Sequence, residues 1–266
     1  MKDPSDIHAG IHQARRHIKI LRATLRLIQF ELSPDIYRYE NHFYRDIARE
    51  LSSVRDLTAM METIEDLIEI DSQGKIKHTY IKLKNHILTE RQDYIQSHHN
   101  LLAKVHKSLA DHQILTQDIA WSTHLKRNLL RSLQLSYDRA AKRWQISLQN
   151  PSPEHNHEWR KKSKYLRYQF LILQNAWLPI FKAWEKETHH LTDLLGQANN
   201  LVILEKHLEK SPLFENHLEL IQDVIHGQES KLIESAKDLG TKLFAEKTDA
   251  FTRRINVYLS EWAALK

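Results

Sequence analysis

The chain of 266 residues predicts an all-α fold, and three observations carry that expectation. Apolar residues recur at intervals of three and four, the spacing of one face of a helix. Five glycines and six prolines among 41% hydrophobic residues leave few breaks in such a pattern. No stretch alternates Val, Ile or Thr with polar residues, as a half-buried strand would.

Taken in order, Asp3-Pro4 reads as an N-cap with proline at the first helical position. The helix it opens runs to about Leu32, with Ile11, Ala14, Ile18, Leu21, Leu25 and Ile28 as its seam. Ser33-Pro34 breaks it. A second helix spans about Asp35 to Ile70 and closes at Asp71-Ser72-Gln73-Gly74. A third covers about 75–110 and a fourth about 116–149. Asn150-Pro151-Ser152-Pro153 is the strongest break, where Ser152 caps a fifth helix running to about Trp177. Trp159, Leu166, Phe170, Leu173 and Trp177 form its core face. Pro179 starts a sixth helix ending near Lys210, Ser211-Pro212 opens a seventh, and Gly240 separates it from an eighth.

The two sides of the central break resemble each other. His12-x2-Arg15-x3-Lys19-x-Leu21-Arg22 returns as His157-x2-Arg160-x3-Lys164-x-Leu166-Arg167, displaced by 145 residues. Twelve residues separate Arg22 from Pro34, and twelve separate Arg167 from Pro179. Leu51-Ser52-Ser53-Val54-Arg55-Asp56-Leu57 matches Leu195-Gly196-Gln197-Ala198-Asn199-Asn200-Leu201, displaced by 144. Three landmarks in one order at one spacing predict two four-helix bundles, residues 4–150 and 152–266, related by a pseudo-twofold. The second copy is shorter in its last two helices.

Charge is unevenly placed. The net charge is +5, yet Trp121–Phe170 alone holds eleven Lys/Arg against three acids, and residues 1–30 hold six against two. Such focusing of positive field points to an anionic partner. On a helix, positions i, i+3, i+7 and i+10 share a stripe. His12, Arg15, Lys19, Arg22 and Arg26 therefore form one stripe, about 100° round from the seam of their helix. His157, Arg160, Lys164 and Arg167 form its counterpart; Arg26 is matched by Leu171, so the fifth cation is not repeated. Lys161 adjoins the second stripe, and Arg139 and Arg143 flank the core of the fourth helix. Basic helix faces are commonly solvated and paired with acids one turn away. Here no acid lies within four residues of Arg15, Lys19 or Arg22. Two matched, poorly neutralised stripes read as a site for a polyanion.

These residues resemble the CHAD family, the conserved histidine α-helical domain. The resemblance rests on the H-x2-R-x3-K-x-L-R element of each half and on the L-(G/S)-x-x-(R/N)-(D/N)-L segment of the following helix. It covers nearly the whole chain, so residues 1–266 read as a single, stand-alone CHAD domain. It implies two bundles packed around a basic groove or channel, and it implies binding of inorganic polyphosphate. Asp56 faces Asn200 in the repeat, so one acid of the expected pair is missing. The physics agrees with that ligand. Polyphosphate offers a line of charge and no bases, so a binder needs many charge-assisted contacts in a row. Arginine supplies a fork, lysine a point charge, and protonated histidine two donors.

Three rivals are weaker. Nucleic-acid binding would use the same stripe, but no recognised motif is present and the cations are not interleaved with exposed aromatics, Tyr165 and Tyr168 being the nearest. A histidine-based metal bundle has 18 His to draw on, with His8/His12 one turn apart and Glu154-x-x-His157 and Glu187-x-x-His190 spaced as half-sites. Glu154 sits at a helix start, however, and His157 lies among cations; neither metal nor cofactor is expected. Catalysis lacks a P-loop, a G-x-S-x-G or paired carboxylates for Mg2+. The chain reads as a non-enzyme. Zero Cys excludes disulfides and Cys-bound metals. No apolar run approaches the ~20 residues of a membrane span, and no signal peptide leads the chain. A cytoplasmic protein, at polyphosphate granules if that ligand holds, is expected.

Overall fold

A computed structural model describes residues 4–71, 76–112, 114, 119–211 and 217–262, with residues 4–8 as backbone alone. It has the expected all-α class: ten helices, one short 3-10 turn, and no strand among the described residues. The helices are α1 Pro4–Leu27, α2 Pro34–Glu50, α3 Ser52–Ile70, α4 Lys77–Ser97, α5 Leu101–Ala110, α6 Leu125–Gln149, α7 Pro153–Ile172, α8 Leu178–Leu208, α9 Leu218–Leu243 and α10 Thr248–Glu261. Asp3, Ser72-Gln73-Gly74 and Pro212, to which capping or turn roles were given, lie outside the described residues.

Several boundaries differ from the sequence reading, each for a local reason. The first helix stops at Leu27, not Leu32: Gln29 Nε2 donates to the Arg26 carbonyl at 2.8 Å and a turn follows, with the Glu31 amide donating to the Ile28 carbonyl at 2.8 Å. Glu31 beyond it accepts hydrogen bonds from the Ser122 amide (2.9 Å) and Asn128 Nδ2 (2.7 Å). The second helix breaks into α2 and α3 at Leu51, where Ser52 Oγ donates to the Arg49 carbonyl at 2.6 Å. The third breaks into α4 and α5. There Ser97 Oγ donates to the Asp93 and Tyr94 carbonyls, and the His98 ring stacks on Tyr94 at 4.0 Å. Side chains that engage their own backbone compete with continuation of the helix. The fourth begins at Leu125. The fifth ends at Ile172, so helical phase no longer carries Trp177 into the core; it is 45% exposed, edge-on to Tyr258. Its start is as expected: Ser152 Oγ accepts from the His155 amide at 3.1 Å, with Pro153 at the first position.

Gly240 does not separate two helices. It lies inside α9, and the break follows Leu243. Its role is steric: a Cβ there would stand 2.7 Å from the Trp144 ring and 2.8 Å from Trp159. Gly240→Ala therefore sets a helix-propensity gain of about 1 kcal/mol against overpacking of about 1–3 kcal/mol on two rigid rings. The variant is expected to unfold at lower urea concentration than the wild type; a higher midpoint would mean that the rings yield.

The chain divides into two compact units. The first comprises residues 1–15, 46–112 and 197–232, the second 16–45, 113–196 and 233–266. Each takes segments from both sides of the break at Asn150-Pro151. In the first unit, Leu57, Met60, Ile64 and Leu67 of α3 meet Tyr80, Leu83 and Ile87 of α4, Leu201, Leu204 and Leu208 of α8, and Ile221 and Ile225 of α9. Spacings of three and four put each set on one helix face. In the second unit, α6 and α7 pack along their lengths and α10 lies against α6. Trp159, Leu166, Phe170, Phe181 and Phe251 fill that core, and Tyr137 stacks on Phe251 at 4.0 Å while its hydroxyl donates to the Glu246 carbonyl at 2.9 Å. In α1 the buried positions pass from Ile18 to Ala23, Leu25 and Leu27. Leu21, expected in the seam, is 43% exposed. The helix is covered on two sides there, and Leu21 falls outside both.

Candidate functional site: a half-buried cation face

The second unit gathers most of the predicted cations. Arg160, Lys164 and Arg167 follow one another at i, i+4 and i+7 along one face of α7. Lys19, Arg22 and Arg26 of α1 lie between that helix's two buried sides. All six are half-buried, as a flank position predicts. The helices meet through charge and ring contacts. Lys164 feels Arg160, Lys19 and Arg167. The Tyr165 ring lies under the Arg26 guanidinium, 3.8 Å from its centroid, with Arg22 at 6.0 Å. Burial pushes the Lys164 ammonium well below the ordinary lysine range; Arg160 and Lys19 push it further, and Asp193 opposes them.

Most of these guanidiniums are fixed by the protein itself. In the first unit, Arg15 Nη1 donates to the Ala48 carbonyl. In the second, Arg160 Nε donates to the Thr192 carbonyl at 3.4 Å. A Cβ on Gly196 would stand 3.0 Å from Arg160 Nη2, so the glycine makes room for that fork. Arg22 Nε donates to Asn41 Oδ1 at 3.2 Å, and Arg167 Nε to Glu185 Oε1 at 2.7 Å. Ala48 and Thr192 are 144 residues apart, as are Asn41 and Glu185, the same displacement as the Leu51 and Leu195 segments. The expectation that the stripes lack partners is thus corrected. A count confined to one helix could not see Asn41 or Glu185, which come from the next helix.

The remaining predicted residues sit elsewhere. His12 is exposed in the first unit, beside Val54, Arg55, Thr58 and Glu62. Burial lowers the Arg15 pKa there, Asp56 works against that, and Arg55 adds to it. Glu158 accepts from Lys161 Nζ at 2.5 Å. Lys161, Arg143 and Lys162 surround Glu158, and Arg139 stands near Lys162. This group lies on the side of α7 turned about 100° or more from Arg160. His157 is half-buried on the Arg160 side.

Sequence reasoning missed five participants. Arg16 acts on the buried Tyr168 hydroxyl, whose pKa is raised first by burial. Tyr165 carries the α1 guanidiniums, and Glu185 holds Arg167. His189 pairs with Asp193 at 3.3 Å, and burial, then Arg167, lowers its pKa. Phase on α8, one and two turns from Glu185, was the available signal for the last pair. Among the described residues one set of metal-type side chains also converges: His86, Glu90 and His207, in the first unit.

Fold and site together define an all-helical domain that carries a half-buried cation face. Residues 2–209 match the family model of the CHAD domain, and the chain belongs to the CHAD family. That family is associated with polyphosphate binding. No curated protein and no solved structure matches the chain. Among the described residues no helix is long and apolar enough to cross a membrane.

Proposed function

We propose that the chain binds inorganic polyphosphate, without turning it over, on the α1–α7 cation face, and so serves to recruit protein to polyphosphate or to regulate its use. One observation carries this reading: the half-buried Lys164 stands beside Arg160, Lys19 and Arg167, which together with burial hold its pKa down. Like charges held together in a poorly solvated place destabilise a fold. They are understandable where an anion arrives to join them. Arginines already held in place by the protein present an ordered fork to phosphate oxygens, which reduces the ordering cost of binding. The matched tethers of Arg15 and Arg160, and of Arg22 and Arg167, support an internal duplication of this device. Nucleic acid is the poorer fit, because Tyr165 is covered by Arg26 and Tyr168 is buried, which leaves neither ring for base stacking. The acids at the face are engaged, Glu185 with Arg167 and Asp193 with His189, which supports binding over Mg2+-dependent transfer.

The test is fluorescence anisotropy with end-labelled polyphosphate across polymer lengths, with duplex DNA as competitor at equal charge. Polyphosphate is expected to displace DNA, and polymer length to stay constant through incubation. Lys19→Gln with Lys164→Gln removes two charge-assisted contacts at about 1.5–3 kcal/mol each, so affinity should fall by ~100-fold or more. These two are chosen because reversing Arg15 or Arg160 would also strip a main-chain carbonyl of its donor. Wild-type affinity in the double variant, or DNA displacing polyphosphate at equal charge, would sink the reading.

A further inference from the structure

We propose that His86, Glu90 and His207 form a binding site for a transition-metal dication of the zinc class on the first unit. His86 and Glu90 stand at i and i+4 on α4, hence on one face. His207 comes from the last turn of α8. Their ligand atoms all lie within 4.8 Å of one another, and His207 Nε2 is 3.2 Å from Glu90 Oε2. Donors bound tetrahedrally at about 2.0–2.2 Å would be roughly 3.3–3.6 Å apart. Side-chain torsions alone can close that gap.

The backbone is already set for it. Leu83 and Ile87 flank His86 on α4, and Leu204 and Leu208 flank His207 on α8. All four are essentially fully buried in one core, so the two helices are fixed before any metal arrives. Ligand side chains mounted on fixed helices are what distinguish a site from a chance cluster. The donor set selects the metal. Two imidazoles and one carboxylate with open positions suit zinc, nickel or copper; calcium and magnesium call for oxygen alone. One neighbouring cation is neutralised: Lys84, two residues from His86, is bound to Glu65 at 2.5 Å. This separates the site from Glu154-x-x-His157, whose histidine lies beside the cations of α7.

The test is a zinc titration of the full chain against a chromophoric indicator, in non-coordinating buffer without polyphosphate, followed by the visible absorption of the Co2+-substituted protein. One equivalent is expected to bind well above the background of the other histidines, with the intense bands of a four-coordinate cobalt site. His86→Ala and His207→Ala should each weaken it by at least about tenfold. His226→Ala is the control, because His226 also pairs with a carboxylate, Glu205 at 2.7 Å, but outside the three-ligand cluster. Equal zinc affinity in the His86 and His207 variants, or an equal loss in the His226 variant, overturns the proposal. The Lys19→Gln/Lys164→Gln protein should bind zinc as the wild type does, so the outcome is independent of the polyphosphate reading.

Discussion

Lys164→Met is expected to raise the melting temperature and lower polyphosphate affinity in the same protein. Methionine keeps the length and flexibility of lysine and brings no charge. It relieves burial of an ammonium beside Arg160, Lys19 and Arg167. A gain of about 1 kcal/mol corresponds to roughly 2–4 °C for a chain of this size. Polyphosphate affinity should fall by about tenfold as a charge-assisted contact is lost. A merely structural lysine would show neither the rise in stability nor the loss of affinity. The pH dependence has a definite sign. Because the folded pKa lies below the unfolded one, the unfolded chain binds more protons between the two values. Stability therefore rises with pH from the folded value towards the ordinary lysine value of about 10.4, and the penalty is complete below the folded one. Urea midpoints from neutral pH to mildly alkaline pH should climb in the wild type and climb less in Lys164→Met. A fall in melting temperature with affinity unchanged would remove Lys164 from the site.

The second large effect is salt. Lys19, Arg22, Arg26, Arg160 and Lys164 are the half-buried cations of the proposed α1–α7 face. For a single-stranded polyanion each contact contributes about −0.7 to the slope of log affinity against log salt, so the total is roughly −3.5. Affinity should then drop ~100-fold between 50 and 200 mM salt. Lys19→Gln should flatten the slope by about 0.7, and His86→Ala should leave it unchanged. A slope near zero in the wild type would mean that the cation face is not where the polymer binds.

The parts of this molecule legible in its sequence are those set by local rules. Helical periodicity and the Ser152-Pro153 cap give the class and the firmest helix start, and the same periodicity sets Arg160, Lys164 and Arg167 on one face. The matched motifs carry the family. What was not legible depends on another element. Ser97 and His98 end α4 by engaging Asp93 and Tyr94, a competition with the helix that periodicity cannot register. Gly240 looked like punctuation because glycine often is, whereas its reason lies in Trp144 and Trp159, far off in the chain. Glu185 and Asn41 were invisible for the same cause. Charge counting also groups Lys161, Arg139 and Arg143 with the stripe, while helix phase gathers them near Glu158. His86 and His207 are 121 residues apart, and no spacing rule joins them.

Glu185 gives the cation face a resident anion. An incoming polymer does not simply add to Arg167; it must take the place of a carboxylate held at 2.7 Å. A lone phosphate making that exchange gains about what it removes. If polyphosphate binds here as proposed, a longer polymer makes the same exchange once and also reaches Lys164, Arg160 and Lys19. On the proposed reading the face would act as an ion exchanger with a threshold, favouring a polymer long enough to reach past Arg167 over free phosphate.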